Sequence, residues 1–281
     1  MASIKDKLLA IGVALAYPQV RLKPAITKEH FSGKWVLVTG ASHGIGRALT
    51  EKLIEADANV FLIARSEADL QYLCDRAKQR GNRADYCAID LRDREKLELL
   101  CQKLKETLPQ LDYFFCNAGK SIHRKITDAL DRLHDYDRTI DLNYRALVAL
   151  SLALLPALKA SKGSIIYSSS VSTCYPMAPG WSAYHASKCA ANAWCETANS
   201  EFAPLGVRVQ IAYLPLVHTA MSDVNERYRQ LPAYYPADAA NILLRLAIRK
   251  GKRYQPWWAK LSAPIAYLFA PIVHLFYKRR V

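Results

Sequence analysis

Apolar residues along the chain follow two alternating patterns. Short, nearly continuous apolar runs occur at WVLVTG (35–40), NVFLIAR (59–65), ADYCAID (84–90), LDYFFCNAG (111–119), GSIIYSSS (163–170) and VRVQIAYL (207–214). Between them, segments near 45–56, 66–81, 93–107, 135–160, 182–204 and 236–249 repeat apolar residues at helical spacing. Runs with no alternating polar face predict strands buried on both sides, and the intervening helices supply the covering layers. The pattern predicts an α/β fold, a doubly wound parallel sheet in a single domain over residues 33–253. An apolar and basic N-terminal arm (1–32) and an apolar C-terminal segment (254–281) flank it.

Composition narrows this picture. A chain of 281 residues with 51% hydrophobic residues can bury a large core, which excludes intrinsic disorder and a small disulfide scaffold. Thirty-nine Lys and Arg against 25 Asp and Glu give a formal charge of +14, favouring an anionic partner such as a membrane surface, a phosphorylated ligand or nucleic acid. No helix-turn-helix, zinc-finger or RNA-binding motif accompanies the charge, and the basic residues are scattered, so no nucleic-acid partner is expected. Cys74, Cys87, Cys101, Cys116, Cys174, Cys189 and Cys195 form no C-x-x-C pair. Reduced thiols in a cytosolic setting, with no metal site, are the reading.

The two ends differ from the middle. In IKDKLLAIGVALA (4–16), Lys5 and Lys7 precede a short apolar run. An interfacial helix, a signal peptide and an arm packed on the protein's own body are all open, and the interfacial helix is preferred. From Leu261 to Tyr277 there is no acid, Lys or Arg, with Trp257 and Trp258 before and Lys278, Arg279 and Arg280 after. Aromatic flank, apolar stretch and basic terminus describe a lipid-seated segment. Pro264 and Pro271 are expected to interrupt its helix, so it should lie in one leaflet rather than cross, or else form a hairpin against its own domain or a second subunit. The expected location is the cytoplasmic side of a membrane, peripheral or monotopic.

Candidate chemistry begins at Thr39-Gly40-Ala41-Ser42-His43-Gly44-Ile45-Gly46. The turn follows the first strand and opens the first helix, where bare glycine backbone and free N–H groups suit a pyrophosphate. The second strand ends Ala64-Arg65 instead of in the acid that would bind a ribose 2′-hydroxyl. With His43 nearby, Arg65 points to a 2′-phosphate and so to NADP(H). Asp90 and Leu91, after the third strand, are expected at the adenine, and Asn117, Ala118 and Gly119 along the cofactor's far side.

At the reacting end, Tyr184 and Lys188 lie four apart on one helix face. An ammonium beside a phenol should lower the phenol's pKa and let Tyr184 exchange a proton with a substrate oxygen. Ser170 is placed to hydrogen-bond the same oxygen. Asn143 is expected to position a water relaying protons to Lys188.

TGxxxGIG at 39–46, NAG at 117–119, Asn143, Ser170 and YxxxK at 184–188 together resemble the short-chain dehydrogenase/reductase superfamily across residues 33–250. The resemblance implies a Rossmann fold and a tetrad of Ser170, Tyr184, Lys188 and Asn143 that moves hydride to or from a carbonyl. Tyr184 and Lys188 would also touch the cofactor, Lys188 through its ribose. Pro215, Val217 and Thr219 would line the nicotinamide side, although Leu216 stands where that superfamily usually has glycine. AGKSIHR (118–124), DRLHDYDRTIDLNY (131–144) and PLVHTAM (215–221) look closest to bacterial short-chain-type fatty acyl-CoA reductases. Membrane-bound ketosphinganine and hydroxysteroid reductases share much of this pattern.

Aromatic and apolar residues crowd 174–182 and 213–235, the expected pocket walls. Arg245, Arg249, Lys250, Lys252 and Arg253 are read as facing anionic headgroups or a CoA phosphate, or else as a solvated helix end. The leading expectation is a membrane-associated, NADPH-dependent reductase of a lipid-like carbonyl, with an acyl thioester as the candidate substrate. Ketone reduction on a 3-oxoacyl, sphingoid or sterol substrate and a non-catalytic NADPH-binding scaffold are the alternatives. Helices near 135–160 and 182–204 pair subunits in similar enzymes, so a homo-oligomer is expected.

Overall fold

The computed structural model describes residues 12–224, 226–272 and Leu275. Its centre is a seven-stranded sheet in the order β3-β2-β1-β4-β5-β6-β7. The strands are β1 (Trp35–Thr39), β2 (Asn59–Ala64), β3 (Ala84–Ala88), β4 (Tyr113–Cys116), β5 (Ser164–Ser170), β6 (Arg208–Leu214) and β7 (Arg253–Tyr254). Every neighbouring pair is parallel. The helices are α1 (Pro24–Phe31), α2 (Gly44–Glu55), α3 (Glu67–Gln79), α4 (Arg94–Thr107), α5 (Leu133–Ile140), α6 (Ala146–Ser161), α7 (Ser182–Phe202), α8 (Pro236–Arg249) and α9 (Trp257–Leu268).

The doubly wound sheet expected from the pattern is present. β1, β2, β5 and β6 are buried along almost their whole length, so they need cover on both faces. One cover joins Leu49 and Leu53 of α2, Leu70 and Leu73 of α3, and Leu243 of α8. The opposite one joins Leu97 of α4, Leu150 of α6 and Cys195 of α7. The chain winds one way from β1 to β3 and the other way from β4 onward. The carboxyl ends of β1 and β4 therefore splay apart, and a crevice opens at that switch point.

Several details were not expected. The third and fourth strands stop at Ala88 and Cys116, because the residues beyond turn into loops of the crevice. β7 pairs with Ile211 and Ala212 through two residues, too few for a readable pattern. A wider helical turn, Asp141–Arg145, joins α5 to α6 and points Asn143 inward. The stretch Leu133–Ser161 is long and apolar enough to cross a membrane by length and composition. Leu147, Leu150, Leu154 and Leu158 of that stretch are nevertheless fully buried in this domain's core.

The N-terminal residues join the domain. Phe31 is fully buried, its ring 4.8 Å from Tyr113. Farther out, Asn241 Nδ2 donates to the Val20 carbonyl (2.7 Å) and Tyr234 Oη donates to that of Pro18 (3.0 Å). The indoles of Trp257 and Trp258 donate to the carbonyls of Leu15 (2.8 Å) and Ala16 (3.0 Å). From Leu15 onward, then, the arm lies on the protein's own body. Lys5 and Lys7 fall outside the described residues, as do Lys278, Arg279 and Arg280.

The interruption expected at Pro264 does not occur, since α9 runs through it to Leu268. Proline removes one N–H and crowds one carbonyl on a helix that is mostly exposed and free to adjust. Ala259 and Ala263 face the body, whereas Trp257, Leu261, Ile265, Tyr267 and Leu268 are exposed. A C-terminal hairpin buried against its own domain is therefore not what these residues form.

Candidate active site

The glycine turn is shaped by close backbone packing. Gly40 has φ +68°, and its N–H donates to the Ile63 carbonyl (2.7 Å). Gly46, in the first turn of α2, packs so tightly that a Cβ there would sit 2.0 Å from the Gly40 oxygen. A side chain at either position would break the turn. No side chain caps the N-terminus of α2, so its first amides point unclaimed into the crevice. Thr39 Oγ1 accepts from the amides of Asn117 and Ala118, both at 3.1 Å, which holds the NAG turn against β1. Thr219 lies across the opening, its methyl 3.2 Å from where a Gly44 Cβ would be. Ser42 and Ile45 belong to the same turn, which thus brings the residues expected for a pyrophosphate together with Thr219.

Arg65 is exposed at the carboxyl end of β2 and makes no ion pair among the described residues. Next to it is a feature the sequence reading missed. Asp69 receives Arg47 Nη1 at 3.1 Å, and His43 Nε2 lies 3.7 Å away. The Ser66 hydroxyl, then His43 and Arg47, hold the Asp69 carboxyl below its ordinary pKa. His43 is therefore shared between Asp69 and the turn, where its Nδ1 is 2.9 Å from Ser42 Oγ. Arg65 stays exposed beside this cluster.

Asp90 and Leu91, expected at the adenine, lie in the loop after β3. Leu91 is buried in the core, and Asp90 is gripped by its neighbour, Arg92 Nε donating to Oδ1 at 3.0 Å. The Arg92 hydrogen bond lowers the Asp90 pKa, with a smaller contribution from Arg65. The side chain of Leu91 faces inward, and that of Asp90 serves an ion pair.

At the reacting end, β5 delivers Ser170, whose Oγ lies 2.9 Å from Ser172 Oγ. α7 delivers Tyr184, whose phenol comes close enough to Ser170 for the serine to act on its pKa. Lys188 is 4% exposed, and its Nζ donates to the Ser168 carbonyl at 2.7 Å while lying 4.6 Å from the centre of the Tyr167 ring. Gly119 is the neighbour on the crevice side, since a Cβ there would sit 3.5 Å from Nζ. Ser170, Tyr184, Lys188, Asn143 and the NAG turn thus converge at the carboxyl edge of the sheet.

Two expected roles change. Burial raises the Tyr184 pKa, opposed by Ser170, and Lys188 is not among the groups acting on it. Burial also pushes Lys188 down to about 8, because the ammonium is turned into the protein toward Ser168 and Tyr167. Asn143 Nδ2 donates to the Lys120 carbonyl (3.0 Å) and to Ser187 Oγ (2.9 Å), while its Oδ1 accepts from Lys120 N (2.9 Å). With both amide atoms engaged, its side chain locks the loop after β4 onto α7. Only the second lone pair of Oδ1 remains open to a water.

Pro215 and Val217 are buried in the wall after β6, and Leu216 accepts a hydrogen bond from Tyr234 N at 3.0 Å. The α8–β7 turn bearing Arg249, Lys250 and Lys252 lies beside the start of β6, where Gln210 Nε2 donates to the Leu246 carbonyl (3.0 Å). That is the end of β6 remote from the crevice, which leaves those residues on a solvated face. Arg253 instead pairs with Glu196 at 3.3 Å.

A family model described as short chain dehydrogenase matches residues 34–229. A fatty acyl-CoA reductase of Acinetobacter baylyi is 34% identical over 251 residues, covering 89% of this chain and 84% of its own. A Saccharomyces cerevisiae benzil reductase forming (S)-benzoin is 36% identical over 205 residues, covering 69% of this chain and 76% of its own. Among solved structures, one described as an NAD(P)-dependent gluconate 5-dehydrogenase from Beutenbergia cavernae, with NADP bound at low occupancy, superposes with a TM-score of 0.71. It is 23% identical and covers 79% of this chain and 94% of its own, a likeness of fold.

Proposed function

Because the chain belongs to the short-chain dehydrogenase family, its oxidoreductase class is given, and we propose that it reduces a long-chain acyl thioester to an aldehyde with NADPH at a membrane surface. The observation that carries the reading is the meeting of Ser170, Tyr184 and Lys188 across the crevice from the uncapped α2 N-terminus, with Arg65 unpaired at its outer corner. These residues suit a nicotinamide dinucleotide carrying a 2′-phosphate, with the α2 amides under the pyrophosphate and the Arg65 guanidinium on the extra phosphate. Lys188, beside Gly119, is placed for the ribose hydroxyls.

Bound there, the cofactor supplies a hydride to the carbonyl carbon. The protein does the rest. Ser170 donates a hydrogen bond to the carbonyl oxygen, and Tyr184 gives it a proton as negative charge develops. The raised pKa of Tyr184 keeps that proton in place at neutral pH. With a thioester, the hemithioacetal so formed then collapses: its hydroxyl returns the proton to the Tyr184 phenolate, the C–S bond breaks, the thiolate leaves, and an aldehyde remains.

The Acinetobacter relative's name supports the thioester. The exposed apolar face of α9, joined to the N-terminal residues through Trp257 and Trp258, supports a lipid surface. Purified protein should oxidise NADPH with palmitoyl-CoA and release free thiol. NADPH oxidation with a long-chain ketone but not with palmitoyl-CoA would replace this reading by ketone reduction, which the yeast relative's name favours. Truncation after Pro256 should move the protein from membranes to the supernatant, and unchanged sedimentation would remove α9 as the anchor.

A further inference from the structure

Three aromatic side chains from separate connections meet beside Tyr184. Trp181, just ahead of α7, has its ring centre 6.0 Å from that of Tyr184 at 65°. Tyr228, on the helical turn Glu226–Arg229 of the β6–α8 connection, stacks on the indole at 5.8 Å and 11°. His123, from the loop after β4, packs on it at 4.7 Å.

Residue 180 makes that packing possible. Gly180 has φ +79°, and a Cβ there would lie 2.7 Å from His123 Nε2. The Arg124 amide donates to the Gly180 carbonyl at 2.6 Å, tying the two loops together. The indole is thus held by Tyr228, by His123 and by the backbone it grows from, and it has little freedom to turn aside. The connections that carry His123 and Tyr228 also bear exposed apolar residues. Ile126, Leu130 and Leu133 are 59%, 86% and 73% exposed in one, and Met221 and Leu231 are 48% and 47% exposed in the other.

Taken with the proposed lipid substrate, on which this rests, we infer that Trp181 is a specificity-determining residue. Its fixed indole narrows the way to the Tyr184 hydroxyl to a flat apolar slot. An unbranched alkyl chain passes along the slot, and a carbonyl bearing two rings does not. Tyr228 and His123 are positioning residues that hold the indole. Rigid aromatic walls discriminate in this way because a bulky group can enter only by displacing packed rings.

The test compares kcat/KM with NADPH for palmitoyl-CoA, a straight-chain long methyl ketone and benzil in the wild type, Trp181→Ala, Trp181→Phe and Tyr228→Leu. The straight-chain to benzil ratio should fall by about 100-fold in Trp181→Ala, mainly through KM, and by less in Tyr228→Leu. Trp181→Phe, which keeps a flat ring, should retain most of the preference. A ratio unchanged in Trp181→Ala, with native circular dichroism and unaltered NADPH affinity, would overturn the inference. Because two of the probes are ketones, absence of thiol release from palmitoyl-CoA sinks only the thioester reading. Quenching of indole fluorescence by bromopalmitate gives a readout free of turnover. Part of the quench should disappear in Trp181→Phe, and an equal quench in both proteins counts against contact with the chain.

Discussion

The two ends of the crevice are built from different materials. The nucleotide end is made of backbone: the Gly40–Gly46 turn, the uncapped amides of α2 and the NAG turn hung on Thr39. The reacting end is made of buried side chains. Lys188, Asn143 and Tyr167 are 4%, 1% and 0% exposed and hold one another in place. A backbone site fails when the chain cannot take the required shape. A side-chain site fails when a single functional group is lost, even though the fold persists.

The largest effect should therefore come from one hydroxyl. Tyr184→Phe keeps the ring against Trp181 and removes the proton donor, and turnover should fall about 10²–10⁴-fold, as for general acids. NADPH affinity, measured by fluorescence titration, should hardly change. Retained turnover would break the assignment of the reacting end.

At the nucleotide end the corresponding lesion is Gly46→Ala. Its Cβ would fall 2.0 Å from a backbone oxygen, and neither partner is a flexible side chain that can swing away. The cost should be about 3 kcal/mol or more, at or above the upper range for overpacking, together with loss of cofactor binding. Urea denaturation and NADPH titration on one sample would show whether stability and binding fall together.

Arg65 sharpens the contrast further, because under the proposed function it is the side chain assigned to choosing between cofactors. Arg65→Ala should weaken NADPH about 10- to 100-fold, the range expected for a charge-assisted contact, and leave NADH affinity nearly unchanged. An equal loss for both cofactors would mean that the guanidinium supports the turn and does not read the 2′-phosphate.

This difference in materials also explains what could be read from the chain. Sheet, helices, crevice and glycine turn were legible because each is written locally, in runs such as WVLVTG and in glycine spacing. The placing of Tyr184 and Lys188 on one helix was legible for the same reason, through YxxxK. The surroundings of Tyr184 and Asn143 were not. The direction of the Tyr184 shift depends on burial by segments distant in sequence, and the partners of Asn143 include Lys120 and Ser187, far away along the chain. Tyr167 gave no signal, since a tyrosine in a strand reads as core. Trp181 and Tyr228 lay in segments expected to wall the pocket, but their stacking joins residues far apart along the chain.

The smallest predicted effect concerns pH and isolates that buried network. Lys188 is pressed toward its neutral form, to about 8, by burial. Around it stand Tyr167 and Ser168 of β5, Cys116 of β4, Cys195 of α7 and Gly119 on the crevice side. If the charged form holds the ribose, kcat/KM should be flat below pH 8 and decline as pH rises through it. The sign for stability is opposite. Between about 8 and the ordinary lysine value of 10.5 the unfolded chain binds a proton that the folded chain does not, so stability rises with pH there. The Tyr167 ring face favours the ammonium and should hold the activity limb up. Tyr167→Leu should move that limb to lower pH by roughly half a unit to one unit, for a cation–π contact of about 1 kcal/mol. Tyr167→Phe, which keeps the ring, should leave it in place. A limb that shifts equally in both variants would trace the effect to the Tyr167 hydroxyl and its 3.4 Å contact with the Asn143 carbonyl, not to the ring beneath the ammonium.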